Sequence, residues 1–272
     1  MTSASYLGHA RVGGVSTDNR GLNYGDGLFE TMRIHRGSVP LWPRHLARLG
    51  EGAQRLGIDL PDAAFIEARV AEMTRGVAAG VLKLLLTRGD GGRGYAPLAG
   101  ARPAWTLSLH PLPASKAGVR VAWCGLRLAA QPALAGIKHC NRLEQVLARR
   151  EVEVAGSDEG LLMDHDGQVV SAISANLLVR INGKWVTPPV DRCGVAGVLR
   201  GWLLQQGLVR DRALAPRDVE SADHVALCNA VRGILPVVSL EGRACAVGPA
   251  LDELQGRLAM AYPMFATRTG GA

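Results

Sequence analysis

The sequence predicts a mixed α/β protein of the α+β kind, with two lobes instead of one doubly wound parallel sheet. Amphipathic helix patterns alternate with strand-like runs in the first half, and hairpin turn signals follow one another in the second. A short connector rich in Pro, Ser and Ala lies at residues 110–118. We therefore expect a small N-terminal α/β domain at 1–112, a linker at 113–118 and a larger C-terminal α/β domain at 119–272.

In the N-terminal lobe, helix and strand patterns are separated by segments that contain glycine and proline. Leu46, Leu49, Ala53 and Leu56 fall on one stripe of the first helix, which is typical of an amphipathic helix. The predicted elements are a hairpin at 30–42 with its turn at Arg36–Gly37, helices at 43–58 and 61–77, and strands at 80–89 and 104–112.

The C-terminal lobe is predicted to contain a β-meander. Asp166–Gly167 and Asn182–Gly183 indicate tight hairpin turns, because type I′ turns need two residues that tolerate positive φ. The predicted elements are a strand at 119–128, a helix at 141–156 with Leu143, Val146, Leu147 and Val154 on one side, the meander at 160–189, a helix at 195–207, a strand at 224–240 and a helix near 249–260.

The chain is basic, with 31 Lys and Arg against 24 Asp and Glu and a net charge of +7. The basic residues are scattered and aromatic residues make up only 4% of the chain, so the composition argues against nucleic-acid binding. Positive potential is better suited to attracting an anionic small molecule.

The five cysteines are an odd number and include no CxxC pair, which argues against a disulfide framework and against a structural zinc site. The first residues lack the basic start and apolar run of a signal peptide, and no apolar stretch has the length of a membrane span. We expect a cytoplasmic protein with no metal site and no membrane association.

Lys138 is one of only four lysines among the 31 basic residues, and it stands near Ile137 and Cys140 at the start of a predicted helix. A partly desolvated lysine amine is nucleophilic and suits Schiff-base chemistry with an aldehyde. A surface lysine that flanks a helix is the plainer alternative. The choice depends on the residues that accompany it.

A phosphate-bearing cofactor would need an anion site. Gly194 and Gly197 lead into a predicted helix whose first amides, at Val198 and Leu199, would suit a phosphate, although an ordinary glycine-rich helix entry has the same pattern. Asn229 stands in an apolar strand and needs partners there, so it either serves a phosphate or holds a turn.

Two further arginines have both a plain and a functional interpretation. Arg48 lies off the apolar stripe of its helix, so it is either solvated or turned toward a second interior surface. Arg93 and Tyr95 lie in a glycine-rich loop. They either bind a carboxylate there or belong to a loop that simply crosses the solvent-exposed surface.

The order of these features resembles that of the class IV, or fold-type IV, pyridoxal-phosphate (PLP) enzymes. This group includes branched-chain and D-amino-acid aminotransferases and 4-amino-4-deoxychorismate lyase, and the resemblance spans residues 18 to 260. The region after Lys138 and the glycine-rich loop look most like the lyase branch. The segments that carry the resemblance are NYGDGLFETMRIHRG, HLARL, TRGDGGRGY, GIKHCNRLEQVLAR, SANLLV, GVAGVLR and CNAVRGILPV.

The resemblance implies a two-domain fold like that of D-amino-acid aminotransferase, with the cofactor between the domains and Lys138 as the Schiff-base residue. It implies phosphate contacts from Arg48, the amides of Val198 and Leu199 and the Asn229–Ala230 corner. The remaining implied residues are Arg142 and Ser171 near the cofactor ring, and Glu30, Thr31, Arg93 and Tyr95 facing the substrate carboxylates.

Ser171 departs from the family pattern, because relatives usually carry a glutamate at this position that pairs with the pyridine nitrogen. A hydroxyl offers only a neutral hydrogen bond, so we expect the ring nitrogen to be mostly unprotonated. That weakens transamination more than an elimination driven by formation of an aromatic ring. Another PLP group, fold-type II, commonly has serine here and performs eliminations.

The resemblance therefore implies a PLP-dependent 4-amino-4-deoxychorismate lyase that forms 4-aminobenzoate and pyruvate in folate biosynthesis, acting on an anionic substrate as a homodimer. The first alternative is a D-amino-acid or branched-chain aminotransferase. The second is a non-catalytic relative that binds PLP or an anionic metabolite.

Overall fold

The computed structural model describes residues 2–266, which form two compact units. The first unit runs to Pro113 and also includes Ile137–Asn141, whereas the second comprises Ala114–Gly136 and the chain from Arg142 onward. Across the described residues, no helix combines the length and apolar character that a membrane span requires.

Lys138 belongs to the first unit, whereas we expected the C-terminal domain to carry it. The reason is backbone pairing with the start of the third strand. The amide of Phe29 donates to the carbonyl of Lys138 at 3.0 Å, and the amide of Cys140 donates to the carbonyl of Gly27 at 2.9 Å. Residues 137–141 are thereby held along an edge of the first unit's sheet.

The first unit is built on an antiparallel five-stranded sheet in the order β2-β1-β5-β4-β3. Alternate residues of β3 are buried, as a strand with one covered face requires. The elements are β1 (Ser3–Leu7), β2 (Ala10–Val12), α1 (Arg20–Tyr24), β3 (Gly27–His35), α2 (Trp42–Leu56), α3 (Ala63–Thr74), β4 (Ala79–Thr87) and β5 (Ala104–His110).

Helices α2 and α3 and strands β4 and β5 confirm the sequence prediction, but the hairpin predicted at 30–42 is wrong. Arg36 and Gly37 form the expected tight turn with positive φ, and beyond it only an isolated bridge joins His35 to Ser38. Helix α2 begins at Trp42, which leaves too few residues for a second strand.

The second unit contains a curled mixed sheet in the order β11-β10-β9-β12-β13-β6-β7-β8, with β14 paired to β13. Its main core packs on one face, and a smaller cluster under α4 includes Ala148 and Val152. The elements are β6 (Val119–Leu128), α4 (Leu143–Val154), β7 (Glu159–Asp164), β8 (Val169–Ala172), β9 (Asn176–Ile181), β10 (Lys184–Thr187), α5 (Val198–Gln205), β11 (Arg210–Asp211), α6 (Pro216–Glu220), β12 (His224–Asn229), β13 (Gly233–Leu240), β14 (Arg243–Ala244), α7 (Pro249–Ala261) and a 3₁₀ turn (Pro263–Phe265).

Most predicted elements of this unit are present, with two informative differences. The strand predicted at 224–240 is a hairpin, β12 and β13, which pair with each other around a left-handed Gly233. At the predicted turns, Asn182 and Gly183 both have positive φ, whereas at the other turn only Gly167 does. The Asn182–Gly183 turn therefore has the two positive φ angles of a type I′ turn.

Helix α4 was predicted from an apolar side that the structure leaves in solvent. The smaller Ala148 and Val152 face the sheet instead. The exposed fractions are 77% for Leu143, 55% for Val146, 49% for Leu147 and 91% for Val154. An exposed apolar surface of this kind is typical of a binding surface.

Candidate active site

Lys138 lies beside an aromatic ring in the first unit. Its Nζ is 4.4 Å from the ring centroid of Phe29, whose backbone is paired with that of Lys138. Lys83 of β4 brings a second ammonium group to 5.4 Å from the same centroid. Phe29 thus has two amines near its ring, an arrangement that suits an anionic ligand.

A buried ion-pair cluster joins β3 to α2. Arg48 donates to Glu30 from Nε to Oε1 at 2.8 Å and from Nη2 to Oε2 at 2.5 Å, and Nδ1 of His45 lies 2.6 Å from Oε2. Burial by itself would raise the pKa of Glu30, but the charge of Arg48 and the hydrogen bond from His45 lower it to about 2. The carboxylate is therefore ionised at neutral pH.

Glu30 was expected to face the substrate carboxylates, and the structure corrects that expectation. Its side chain is on the buried side of β3, with 1% of the residue exposed, and its oxygens are occupied by Arg48 and His45. A carboxylate would also repel an anionic substrate. Thr31 has the opposite orientation on β3 and is half-buried, so its predicted role stays open to test.

Arg48 is anchored by Glu30, and 12% of its side chain is exposed. This settles the alternative that the sequence left open, because Arg48 turns toward an interior partner instead of being solvated. A phosphate contact from the same guanidinium stays a prediction. Burial lowers the pKa of His45 against the opposing effect of Glu30, which favours a neutral ring.

Arg93 and Tyr95 lie in the loop between β4 and β5, which runs from Arg88 to Pro103. Both side chains are exposed, and 87% of Tyr95 is accessible to solvent. Tyr95 is 5.7 Å from Tyr24, measured between ring centroids. The side chains are available to a ligand, but their contact with a substrate is not yet tested.

In the second unit, the start of α5 has the chemistry of an anion site. Gly197 is the N-cap and no side chain caps the helix, so the first amides, including those of Val198 and Leu199, lack the usual side-chain acceptor. Asn176 fixes the preceding loop, since its Nδ2 donates to the carbonyl of Val195 at 2.9 Å. A Cβ atom on Gly197 would overlap Oδ1 of Asn176. These residues fit a phosphate group.

The remaining predicted residues of the second unit have defined places. Asn229 holds a turn, because its Oδ1 accepts from the amides of Val231 at 3.0 Å and Arg232 at 2.8 Å. Ala230 follows it at the corner and is buried. Ser171 lies in β8 with 8% exposure, and Arg142 is the N-cap residue of α4. Their contacts with a cofactor stay predictions.

Sequence reasoning missed three residues that organise these places: Arg20, His45 and Asn176. Asn176 was accessible to the argument applied to Asn229, because both amides stand in apolar strands and need partners. The burial of Arg20 and His45 had no such signal, since Arg is mostly exposed in folded proteins and His is only intermediate in burial.

Comparisons with known proteins identify the family of this chain. A model of the amino-transferase class IV family matches residues 27–240. Aminodeoxychorismate lyase of Vibrio harveyi is 32% identical over 257 residues, covering 90% of this chain and 94% of that protein.

Two solved structures have the same fold. The crystal structure of 4-amino-4-deoxychorismate lyase from Pseudomonas aeruginosa superposes with a TM-score of 0.87 at 43% identity, covering 94% of this chain and 98% of the other. Branched-chain amino acid aminotransferase from Escherichia coli gives 0.84 at 21% identity, covering 98% and 97%. The chain therefore belongs to the class IV aminotransferase family and has its fold-type IV architecture.

Proposed function

We propose that this protein is a PLP-dependent 4-amino-4-deoxychorismate lyase that releases 4-aminobenzoate and pyruvate for folate biosynthesis. The observation that carries the proposal is 43% identity to the Pseudomonas aeruginosa lyase over 94% of this chain. The structural support is a lysine held by backbone pairing to β3, together with a glycine-capped helix start that suits phosphate.

The family is PLP-dependent, and several residues of this chain suit that cofactor. Lys138 is proposed to bind the aldehyde end. The amides of Val198 and Leu199 and the corner at Ala230 are proposed to bind the phosphate, with Arg48 as a further cationic contact. When bound, PLP supplies an electron sink for negative charge that develops at the substrate carbon next to its nitrogen.

Lys138 is proposed to move the protons of the reaction. Its Nζ, as a free amine, takes the proton from the substrate carbon that bears the amino group. The bond from the ring to the pyruvate-forming side chain then breaks, and the ring becomes aromatic. The ammonium group of Lys138 helps to return a proton to the departing portion, which restores the amine.

Ser171 is proposed to face the pyridine nitrogen in place of the glutamate of relatives. A buried hydroxyl with 8% exposure shares a hydrogen bond without supplying a counter-charge. This weakens the electron sink that transamination needs, and it favours the reaction whose product is aromatic. Arg93, Arg142 and Tyr95 are proposed to attract and orient the substrate carboxylates, with Thr31 near them.

The test compares two reactions of the purified, PLP-loaded protein. We expect aminodeoxychorismate to give equal amounts of 4-aminobenzoate and pyruvate, and amino-acid/2-oxoglutarate pairs to give little or no transamination. Lys138→Ala should abolish both the products and the visible absorbance band of lysine-bound cofactor. Transamination without any aminobenzoate would establish the aminotransferase alternative.

A non-catalytic relative would behave differently in the same experiment. Its spectrum would lack the visible band, and Lys138→Ala would leave that spectrum unchanged. Ligand binding without product formation by either route would then replace the lyase proposal.

We also propose a cytoplasmic homodimer. The exposed apolar side of α4, formed by Leu143, Val146, Leu147 and Val154, would be buried if two copies packed through it across a two-fold axis. Light scattering should give twice the mass of 28.7 kDa, and Val146→Glu should shift the protein toward monomer. A wild-type monomer would contradict the assembly without bearing on the reaction.

A further inference from the structure

Arg20, the first residue of α1, is only 4% exposed although its side chain carries a charge. A buried guanidinium needs acceptors for its donors, because an unpaired charge is costly away from water. Its Nε donates to Oδ2 of Asp26 at 2.9 Å. The other donors of the guanidinium bond to the loop between β4 and β5.

Three consecutive carbonyls of that loop converge on Arg20. Nη1 donates to the carbonyls of Gly94 at 3.1 Å and Ala96 at 3.4 Å, and Nη2 donates to the carbonyl of Tyr95 at 2.8 Å. Gly91 also lies against the side chain, since a Cβ atom there would be 2.7 Å from Cδ of Arg20. The loop backbone is thus wrapped around one cation.

This arrangement decides which way the loop presents its side chains. The carbonyls at 94–96 are turned inward to the guanidinium, while Tyr95 is 87% exposed and Arg93 is exposed beside it. On the inner side, the amide of Gly94 donates to the hydroxyl of Tyr24 at 3.2 Å, and the guanidinium of Arg20 lies 4.8 Å from that ring.

We infer that Arg20 is a positioning residue for substrate binding: its guanidinium fixes the backbone at 94–96 and so orients Arg93 and Tyr95 toward an anionic substrate. The inference rests on the proposed function, because it assigns these two side chains to the carboxylates of the lyase substrate. Arg20 itself touches no substrate and acts through the loop.

Arg88 provides a matched control, because it shares Asp26 with Arg20 but not the loop carbonyls. Its Nε donates to Oδ2 of Asp26 at 2.7 Å, while its Nη atoms donate to the carbonyls of Leu56 and Gly57. Burial opposes ionisation of Asp26, but hydrogen bonds from Arg88 and Arg20 keep its pKa below the usual value. Either arginine therefore has an anion to pair with.

The experiment uses Arg20→Lys and Arg88→Lys in the PLP-loaded protein. A lysine at 20 can still pair with Asp26, but its single ammonium cannot span three carbonyls as a planar guanidinium does. Two quantities are measured: the rate of trypsin cleavage after Arg93, which reports on the loop without substrate, and the steady-state kinetics with aminodeoxychorismate.

For Arg20→Lys we expect cleavage after Arg93 to become about tenfold faster and KM to rise about tenfold with little change in kcat, as loss of uniform substrate binding predicts. Arg88→Lys leaves the carbonyls at 94–96 bonded to Arg20, so it should change neither quantity by more than about twofold. Arg20→Met removes the charge as well, so it should also lower the thermal midpoint. Comparing it with Arg20→Lys separates an effect on stability from an effect on loop position.

Four results would decide against the inference or its foundation. Unchanged cleavage in Arg20→Lys would show that Arg20 does not hold the loop. Faster cleavage with an unchanged KM would overturn the positioning role, as would equal effects from Arg88→Lys. A wild-type enzyme that forms no aminobenzoate would overturn the proposed function, while the cleavage rates would still report on the loop.

Discussion

Glu30→Gln tests the buried cluster that joins β3 to α2. Glutamine keeps the size of the side chain but removes its charge and turns one acceptor oxygen into a donor. That donor then faces either Arg48 or His45, both of which donate to the native carboxylate. Arg48, with 12% of its side chain exposed, loses the carboxylate with which it pairs.

Two estimates give the same cost. Removing one partner of a buried ion pair typically destabilises a protein by about 3–5 kcal/mol. Independently, the pKa of Glu30 falls from 4.5 to about 2 on folding. At about 1.4 kcal/mol per pH unit, this corresponds to about 3.5 kcal/mol of stability at neutral pH.

The sign of the pH dependence follows from the lowered pKa. A carboxylate with a depressed folded-state pKa contributes stability above its unfolded value of 4.5, and the contribution is lost as pH falls toward 2. His45, whose pKa is also lowered in the folded protein, adds a further loss of stability as pH falls below its ordinary pKa of 6.5. We therefore expect stability to fall continuously from about pH 6.5 downward.

Urea unfolding of wild type and Glu30→Gln at pH 7 and pH 3 measures the effect. The difference should be about 3.5 kcal/mol at pH 7 and less than about half of that at pH 3. Glu51→Gln is the control, because Glu51 is 66% exposed and 3.9 Å from Arg55, so its loss should cost under about 0.5 kcal/mol. A loss below about 1 kcal/mol for Glu30→Gln, or one equal at both pH values, would refute the reasoning.

Further substitutions test packing and the proposed cofactor contacts. Gly50→Ala should raise the free energy of unfolding by about 0.5–1 kcal/mol, because a Cβ atom has space at that position in α2. Gly52→Ala should raise it less, because its Cβ atom would lie 2.9 Å from Leu28. Equal gains for the two variants in urea unfolding would contradict this. Gly197→Ala should weaken PLP binding in a spectroscopic titration by displacing the asparagine that fixes the loop before α5, and unchanged affinity would argue against a phosphate there. Ser171→Glu should introduce measurable transamination into the PLP-loaded protein, and its absence from an otherwise active enzyme would remove Ser171 from the proposed ring contact.

Local patterns in the sequence were sufficient for much of the fold. Hydrophobic periodicity predicted α2, α3 and α5, and Asn182–Gly183 predicted a turn with two positive φ angles. The order of the motifs along the chain was sufficient to identify the family. Each motif is a short segment whose residue types serve one local function. These features depend on neighbours a few residues apart, which a sequence displays directly.

Tertiary structure decided the features that depend on residues far apart in the chain. Periodicity identified α4 but not which side is buried, since a helix with apolar residues on two sides has two possible faces. Glu30 received its partners from a helix 15 to 18 positions away, and Arg20 received its acceptors from a loop more than 70 positions away. Whether a charged side chain is buried depends on such distant partners, because its desolvation is compensated only where hydrogen-bonding partners converge on it in space.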